Sequence, residues 1–219
     1  MSTWFSADLH WQHTNILDYC GRPFKSIREH DDALIHNWNE RVKPGDDAYI
    51  VGDVSWASAG YTVGLLKQLK GILHLIVGNH DHKLLKDQRF INCFKWVKDY
   101  HELKVGQRNY LLFHYPISSW AGMWHRNAAV ISLFGHTHQK QARIDKKRAI
   151  NVGVDAWNMY PVSIDQVDEL ARQHWDNQAD EHNLESWLEE GRKYGVSKSF
   201  LLALEHKRNS WWYKLTHRR

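Results

Sequence analysis

The chain has 219 residues, 42% of them hydrophobic, which is enough for one domain with a sizeable core. Its net charge of +4, from 29 basic and 25 acidic residues, is too small to mark a dedicated nucleic-acid protein. No apolar stretch nears the roughly 18–20 residues that span a bilayer, Met1-Ser2-Thr3-Trp4 enters a strand-like run with no signal peptide, and Cys20 and Cys93 lack C-x-x-C spacing, so a reduced, cytoplasmic protein without a membrane partner is expected.

In chain order, the first element is a short apolar run, Trp4–Ala7, which leads into Asp8-Leu9-His10. Ser26-Ile27-Arg28-Glu29 has capping-box form, and the helix it opens puts Leu34, Trp38 and Val42 on one face before Pro44-Gly45-Asp46 stops it. Ala48–Val51 then runs into Gly52-Asp53. A helix through Val63, Leu66 and Leu69 is predicted to end at Gly71. Ile72–Val77 reaches Gly78-Asn79-His80-Asp81, and His82–Asp87 suggests a short helix. Val97–Val105 and Arg108–Phe113 read as paired strands around Gly106-Gln107, the second ending at His114. Val130–Phe134 delivers Gly135-His136-Thr137-His138, and Ala142–Ile144 with Ala149–Val152 reads as a hairpin. His36, within a helix, and His74, within a strand, read as structural.

Five strand-like runs therefore end on Asp, Asn or His. In open α/β sheets the ligand crevice lies outside the carboxyl ends of the strands, so these ends gather one polar cluster. Asp8/His10 and His136/His138 are i, i+2 pairs, which in extended backbone point to one side. Oxygen and imidazole donors without thiolate favour Mn, with Fe, Zn, Co or Ni as alternatives. Seven donors are too many for one tetrahedral ion. They suit two ions about 3.5–4 Å apart that share a carboxylate, clamp a phosphoryl group and acidify a bridging water to hydroxide. A chain with 16 histidines makes any single one weak evidence; the weight rests on five elements in order.

D-x-H, G-D, G-N-H-D, a solitary H and G-H-x-H in that order resemble the calcineurin-like metallophosphoesterase superfamily over about residues 3–164. Asp8–Ile16, Arg22-Pro23-Phe24 and Asn151–Trp157 resemble its small single-domain bacterial and phage phosphohydrolases. The resemblance implies a four-layer α/β/β/α sandwich of two mixed sheets. It also implies one metal on Asp8, His10, Asp53 and His138, and a second on Asp53, Asn79, His114 and His136, with Asp53 as the bridge. By the same resemblance His80 stabilises the phosphate or protonates the leaving oxygen, oriented by Asp81. Asp81 has a second reading as the N-cap of the following short helix.

The expected organisation is a catalytic domain over 1–164 and a helical extension over 165–219 packed on it, with helices at Asp165–Gln178, Glu181–Tyr194 and Lys198–Asn209. The extension segregates charge: 165–197 carries nine acids and three bases, and 198–219 six bases and one acid. The basic end, with Trp211, Trp212 and Tyr213, reads either as an aromatic plug on the core or as a surface for single-stranded nucleic acid. Relatives that act on phosphoproteins carry an Arg soon after G-D, and Val54-Ser55-Trp56 has none. The expected substrate is thus a small nucleotide-like phosphodiester or phosphoanhydride, with His13, Asn15, Arg22, His125 and Arg126 as pocket candidates. A nuclease and a non-catalytic metal-binding module are the alternatives, the second disfavoured by a retained proton donor. The sequence leaves oligomeric state open.

Overall fold

The computed structural model describes residues 1–123, 130–142 and 148–179, with side chains through residue 172. Helices expected beyond residue 179, the tip of the hairpin, His125 and Arg126 lie outside the described residues. Met1–Arg172 forms one compact unit; Gln173–Arg219 groups separately.

Among the described residues, nine strands make two sheets. The first has β1 (Thr3–Ser6), β2 (Asp47–Val51), β3 (Ile72–Ile76) and β4 (Val97–Lys98) in parallel, with β9 (Val162–Ser163) antiparallel at the β1 edge. The second runs β5 (Tyr100–Val105), β6 (Arg108–Phe113), β7 (Val130–Phe134) and β8 (Ala149–Asn151), antiparallel at β5–β6 and parallel thereafter. Strand alternation assigns the two faces of the first sheet. Ala48, Ile50, Leu73 and Leu75 join the cluster holding Leu34, Trp38 and Leu66 of α2 (Ile27–Arg41) and α3 (Ala59–Leu66). Phe5, Tyr49, Val51 and Ile76 face the other way and pack with Tyr110, Leu112, Ile131 and Leu133 of the second sheet. The expected fold class, two mixed sheets packed together with helices, is present. After β9 comes α5 (Ile164–Ala179), whose Val167 and Ala171 join the inter-sheet cluster.

Three expectations change in detail. Val97–Val105 is not one strand: β4 pairs with β3 in the first sheet and β5 pairs with β6 in the second, so the chain changes sheets at Asp99. The β5–β6 hairpin around Gly106-Gln107 is as expected, Val105 opposite Arg108. The helix meant to reach Gly71 stops at Leu66: the Lys67 N–H still reaches the Val63 carbonyl, but the N–H groups of Gln68 and Leu69 reach back only three residues, to Leu65 and Leu66, in a tighter turn that buries Leu69. β8 pairs in parallel with β7; of the expected hairpin's first arm only Ala142 lies among the described residues, and its carbonyl accepts the Asn151 N–H at 2.7 Å. The α2 start is as expected, with Ser26 Oγ accepting from the Glu29 N–H at 3.2 Å, but the Glu29 carboxylate returns to Lys25 N–H rather than Ser26. Two further short helices are α1 (Ile16–Cys20) and α4 (Gln88–Ile91).

His74 is structural, as expected. Its Nε2 meets Asp47 Oδ1 at 2.8 Å while its Nδ1 is buried without a partner. Burial lowers its pKa from the ordinary 6.5 against the opposing pull of Asp47. The unfolded chain therefore takes this proton first as pH falls, so the stability tied to neutral His74 is whole above about pH 6.5 and lost below it. We expect the urea midpoint to drop between pH 7.5 and 5.5, and to drop less steeply in His74→Gln.

Candidate active site

The parallel strands β1, β2 and β3 and the parallel pair β6–β7 point their carboxyl ends at one edge, where the ligand-type residues follow. The turns there are unusual. Asp8, His10, Asp53, His136 and His138 all lie at positive φ (58°, 48°, 57°, 70° and 50°), as does Gln12 at 61°. The i, i+2 pairs thus do not converge by extended backbone, as the sequence suggested, but by left-handed turns. Left-handed non-glycine residues cost about 1–3 kcal/mol each and persist only where surroundings force them. The main chain does so here: the N–H groups of Asp8, His10 and Trp11 donate to the carbonyls of Gly52, Asp53 and Val54 at 3.0–3.1 Å. Backbone must also come very close to the carboxylates. A Cβ on either Gly135 or Gly153 would stand 2.6 Å from Asp8 Oδ2, so only glycine fits at those two places.

The side chains converge in two groups, Asp8/His10/His138 and Asp53/His114/His136, each with ligand atoms within 4.8 Å of one another. Asp53 Oδ2 stands between them, 3.5 Å from His10 Nε2 and 3.4 Å from His114 Nε2, while its Oδ1 accepts the His80 N–H at 2.9 Å. Asn79 Oδ1 meets His114 Nε2 at 2.9 Å and His136 Nδ1 at 3.0 Å. A third group, Cys20/His138/Asp155, shares His138 with the first.

These residues fit divalent cations. Both ring nitrogens of buried His10 lack any hydrogen-bond partner. His114 Nδ1 sits 2.8 Å from the Val51 carbonyl and its Nε2 faces Asn79 and Asp53 oxygens. A neutral imidazole has one proton for two acceptor-only sides; burial lowers the His114 pKa but Asp53 and Asp8 raise it further, and either a second proton or a cation at Nε2 satisfies both sides. The ligand histidine's other nitrogen bonding a carbonyl is the usual supporting arrangement for a metal ligand. Burial pushes Asp8 up to about 6 against His138 and His114, and holds His10 down to about 2 despite Asp53, so the His10 ring is neutral and able to ligate. Asp53 stays ionised at about 2: burial raises it, but His114 and the His80 N–H outweigh burial. Burial also lowers His138, yet Asp155, Cys20 and Asp8 together carry it up to about 10.

His80 lies at the mouth, its side chain 40% exposed with Nε2 4.0 Å from Asp53 Oδ2. Burial lowers its pKa against the pull of Asp53. Asp81 is fully buried. Its carboxylate accepts the N–H groups of Gly78, Asp53 and Val54 at 2.8–2.9 Å and does not cap the short helix that follows. The 3-10 turn Asp81–Lys86 follows without a side-chain cap. His13 stacks on Trp56 at 4.1 Å, and Trp56 also meets His80 at 4.2 Å. Asn15 is exposed at the start of α1 with no side-chain cap. Arg22 does not line a pocket: it is 5% exposed, and its guanidinium is held by Asp155, His30 and the carbonyls of Asp8 and Leu9. Asp155, His30, Asp31, Trp56 and Tyr115 are not signalled by the sequence pattern, since none follows a strand end within a ligand motif. Asp155 carried the nearest signal, lying in the Asn151–Trp157 stretch.

Residues 1–160 match the family model of the calcineurin-like phosphoesterase superfamily domain. An uncharacterized protein of Methanocaldococcus jannaschii is 31% identical over 75% of this chain and 88% of its own length. The gene 66 protein of Mycobacterium phage D29 is 32% identical over 77% of this chain and 95% of its own. A protein of unknown function from Aquifex aeolicus, 24% identical, shares the fold with a TM-score of 0.62 over 77% of this chain and 98% of its own. The chain belongs to the calcineurin-like phosphoesterase superfamily and is a metal-dependent phosphoester hydrolase.

The glycine contacts give a test independent of turnover. Gly135→Ala sets a methyl against Asp8 Oδ2, so Mn²⁺ affinity should fall by about 10–100-fold, the usual cost of disturbing a ligand's support. Calorimetric titration reads it, and circular dichroism should show the fold retained.

Proposed function

We propose that this phosphoesterase hydrolyses phosphodiester or phosphoanhydride bonds of small nucleotide-type substrates at a two-ion centre. The observation that carries the reading is Asp53 Oδ2 lying within 3.5 Å of one imidazole nitrogen from each donor group. Asp8, His10, His138 and Asp53 would hold one ion, and Asp53, Asn79, His114 and His136 the other. Manganese is the first choice, with Fe, Zn, Co or Ni compatible with the same donors. When bound, such ions neutralise the phosphoryl oxygens and acidify water toward neutral pH.

The chain's own residues do the rest. Asn79 contributes a neutral oxygen, which limits negative charge where a phosphate anion must enter. His80, at the mouth and tethered through its N–H to Asp53, gives its ring proton to the departing alkoxide. Trp56 is 47% exposed and packs on His10 and His80, and Tyr115 is 37% exposed and packs on His114 and His136. Exposed rings beside a phosphate site suit an aromatic leaving group such as a nucleobase-bearing one. The run Val54-Ser55-Trp56 offers no Arg to grip a phosphoprotein's monoester. Both cysteines are free, which agrees with a reducing cytoplasm. The nuclease reading depends on the basic-aromatic end beyond residue 197, outside the described residues, whereas every proposed ligand precedes residue 139.

With Mn²⁺ the protein should cleave bis-p-nitrophenyl phosphate faster than the monoester and lose activity on chelation. Asp53→Asn should abolish turnover and reduce bound Mn²⁺ below the two ions per chain expected of the wild type. Elemental analysis that finds at most one ion in reconstituted wild type would refute the two-ion centre, and faster cleavage of single-stranded oligonucleotides than of small diesters would favour the nuclease.

Replacing His80 with Ala should keep both ions and lower kcat by about 10²–10⁴-fold on alkyl esters. Nitrophenyl esters should suffer less, because nitrophenolate leaves unprotonated. Equal loss on both, or loss of an ion, would remove His80 from the proton-donor role.

A further inference from the structure

Arg22 is the hub of a buried polar chain. Its Nε and one terminal nitrogen grip Asp155 Oδ1 and Oδ2, both at 2.8 Å, a bidentate pair whose side chains are 0% and 2% exposed. The same terminal nitrogen donates to the Asp8 carbonyl at 2.8 Å, and the other to the Leu9 carbonyl at 3.1 Å. The last contact is His30 Nε2, at 2.8 Å. Arginine can only donate, so His30 Nε2 accepts and the ring proton sits on Nδ1, which reaches Asp31 Oδ1 at 2.7 Å. Burial holds His30 below its ordinary range, in keeping with a neutral ring. Asp31 in turn takes the Gln12 N–H at 3.1 Å and the Gln12 side-chain amide at 2.7 Å.

At its other end the chain reaches a ligand-type residue. Asp155 Oδ2 meets His138 Nδ1 at 3.0 Å. With an ion bound, that bond would keep the proton on Nδ1 and leave Nε2 as the ligating nitrogen. One guanidinium thus holds the main chain of Asp8 and Leu9 and, through Asp155, the ring of His138. Asp31 holds Gln12, the next left-handed residue after His10. The second donor group is held by other means: His114 by the Val51 carbonyl, and Asp53 by the Asp81 clamp. None of the bonds made by Arg22, His30 or Asp31 reaches Asp53, His114 or His136. Burying an ion pair is costly and is no route to stability by itself, so its placement under one donor group calls for a use there.

We propose that Arg22, Asp155, His30 and Asp31 form a positioning assembly for one metal position alone, that of Asp8, His10 and His138, and set its affinity separately from the position of His114 and His136. The proposal rests on the two-ion reading of the centre. Arg22 and Asp155 act directly on that position; His30 and Asp31 act through Arg22 by fixing where its fork points. A lysine at 22 keeps the charge but loses the fork, and cannot hold both carboxylate oxygens and two carbonyls at once.

The test is Mn²⁺ titration calorimetry on the metal-free full-length protein, with urea unfolding of the same samples. Wild type should show two binding steps. Asp155→Asn and Arg22→Lys should weaken one step by about 10–100-fold, the usual cost of losing a ligand's support, and leave the other within about twofold. Asp31→Asn should weaken the same step by a smaller factor. It nearly preserves volume and removes only charge, so it carries the test if an Arg22 variant fails to fold. Two steps weakened alike, or both unchanged while the urea midpoint falls, would assign the assembly to the fold and overturn the proposal. A wild type with a single step would instead overturn the two-ion reading beneath it.

Discussion

The site hangs on the Asp81 carboxylate. Its two oxygens accept main-chain N–H groups from Gly78, Asp53 and Val54, which joins the end of β3 to the end of β2. Each bond to a charged acceptor is worth more than a neutral one. The group nonetheless stays costly to bury, since burial carries its pKa up to about 6 against those same bonds. The result is a fixed Asp53: its N–H is taken, its Oδ1 holds the His80 N–H, and only Oδ2 is left to face the histidines. The position of the shared carboxylate is thus decided one layer beneath the site, by a residue with no exposed surface.

From that anchor the two sheets are drawn together. Ala7 bridges to Gly153, the Val154 N–H donates to the Ala7 carbonyl, and the Gly135 N–H donates to the His114 carbonyl. The first two links cross between the β1 loop and the segment after β8, and the third joins the loops after β6 and β7. Asp8 then accepts the His136 N–H on both oxygens at 2.9 and 3.0 Å, so a donor from the first sheet is held by the backbone of the second. The inter-sheet packing of Phe5, Val51, Tyr110 and Leu133 sets how closely those ends can approach.

Much of this was legible in the sequence, because an apolar run ending in Asp, Asn or His specifies both a buried strand and the donor its end delivers. The strands, the order of ligand motifs and the Ser26 cap all follow from local chemistry. What stayed hidden is long-range. The left-handed backbone at Asp8 and His10 depends on carbonyls of Gly52, Asp53 and Val54, far along the chain. Arg22 looked like a phosphate-gripping arginine; its true partner, Asp155, is 133 residues away. Asp81 looked like a helix cap because Asp commonly is one, while its actual partners include the backbone at the end of another strand. The split of Val97–Val105 at Asp99 is a topological choice that hydrophobic periodicity does not encode.

Five of the ligand-type residues sit at positive φ, a conformation that glycine adopts freely and that no other residue enters without cost. This sets heat tolerance against function at the same positions. Glycine at 8, 10, 53, 136 or 138 would relax the backbone and delete the donor in one step. Laboratory selection on thermal survival alone would therefore be drawn toward the very positions where the chemistry resides, and a robust but inert protein is its natural end point. Selection for a hardier enzyme would have to score turnover along with survival.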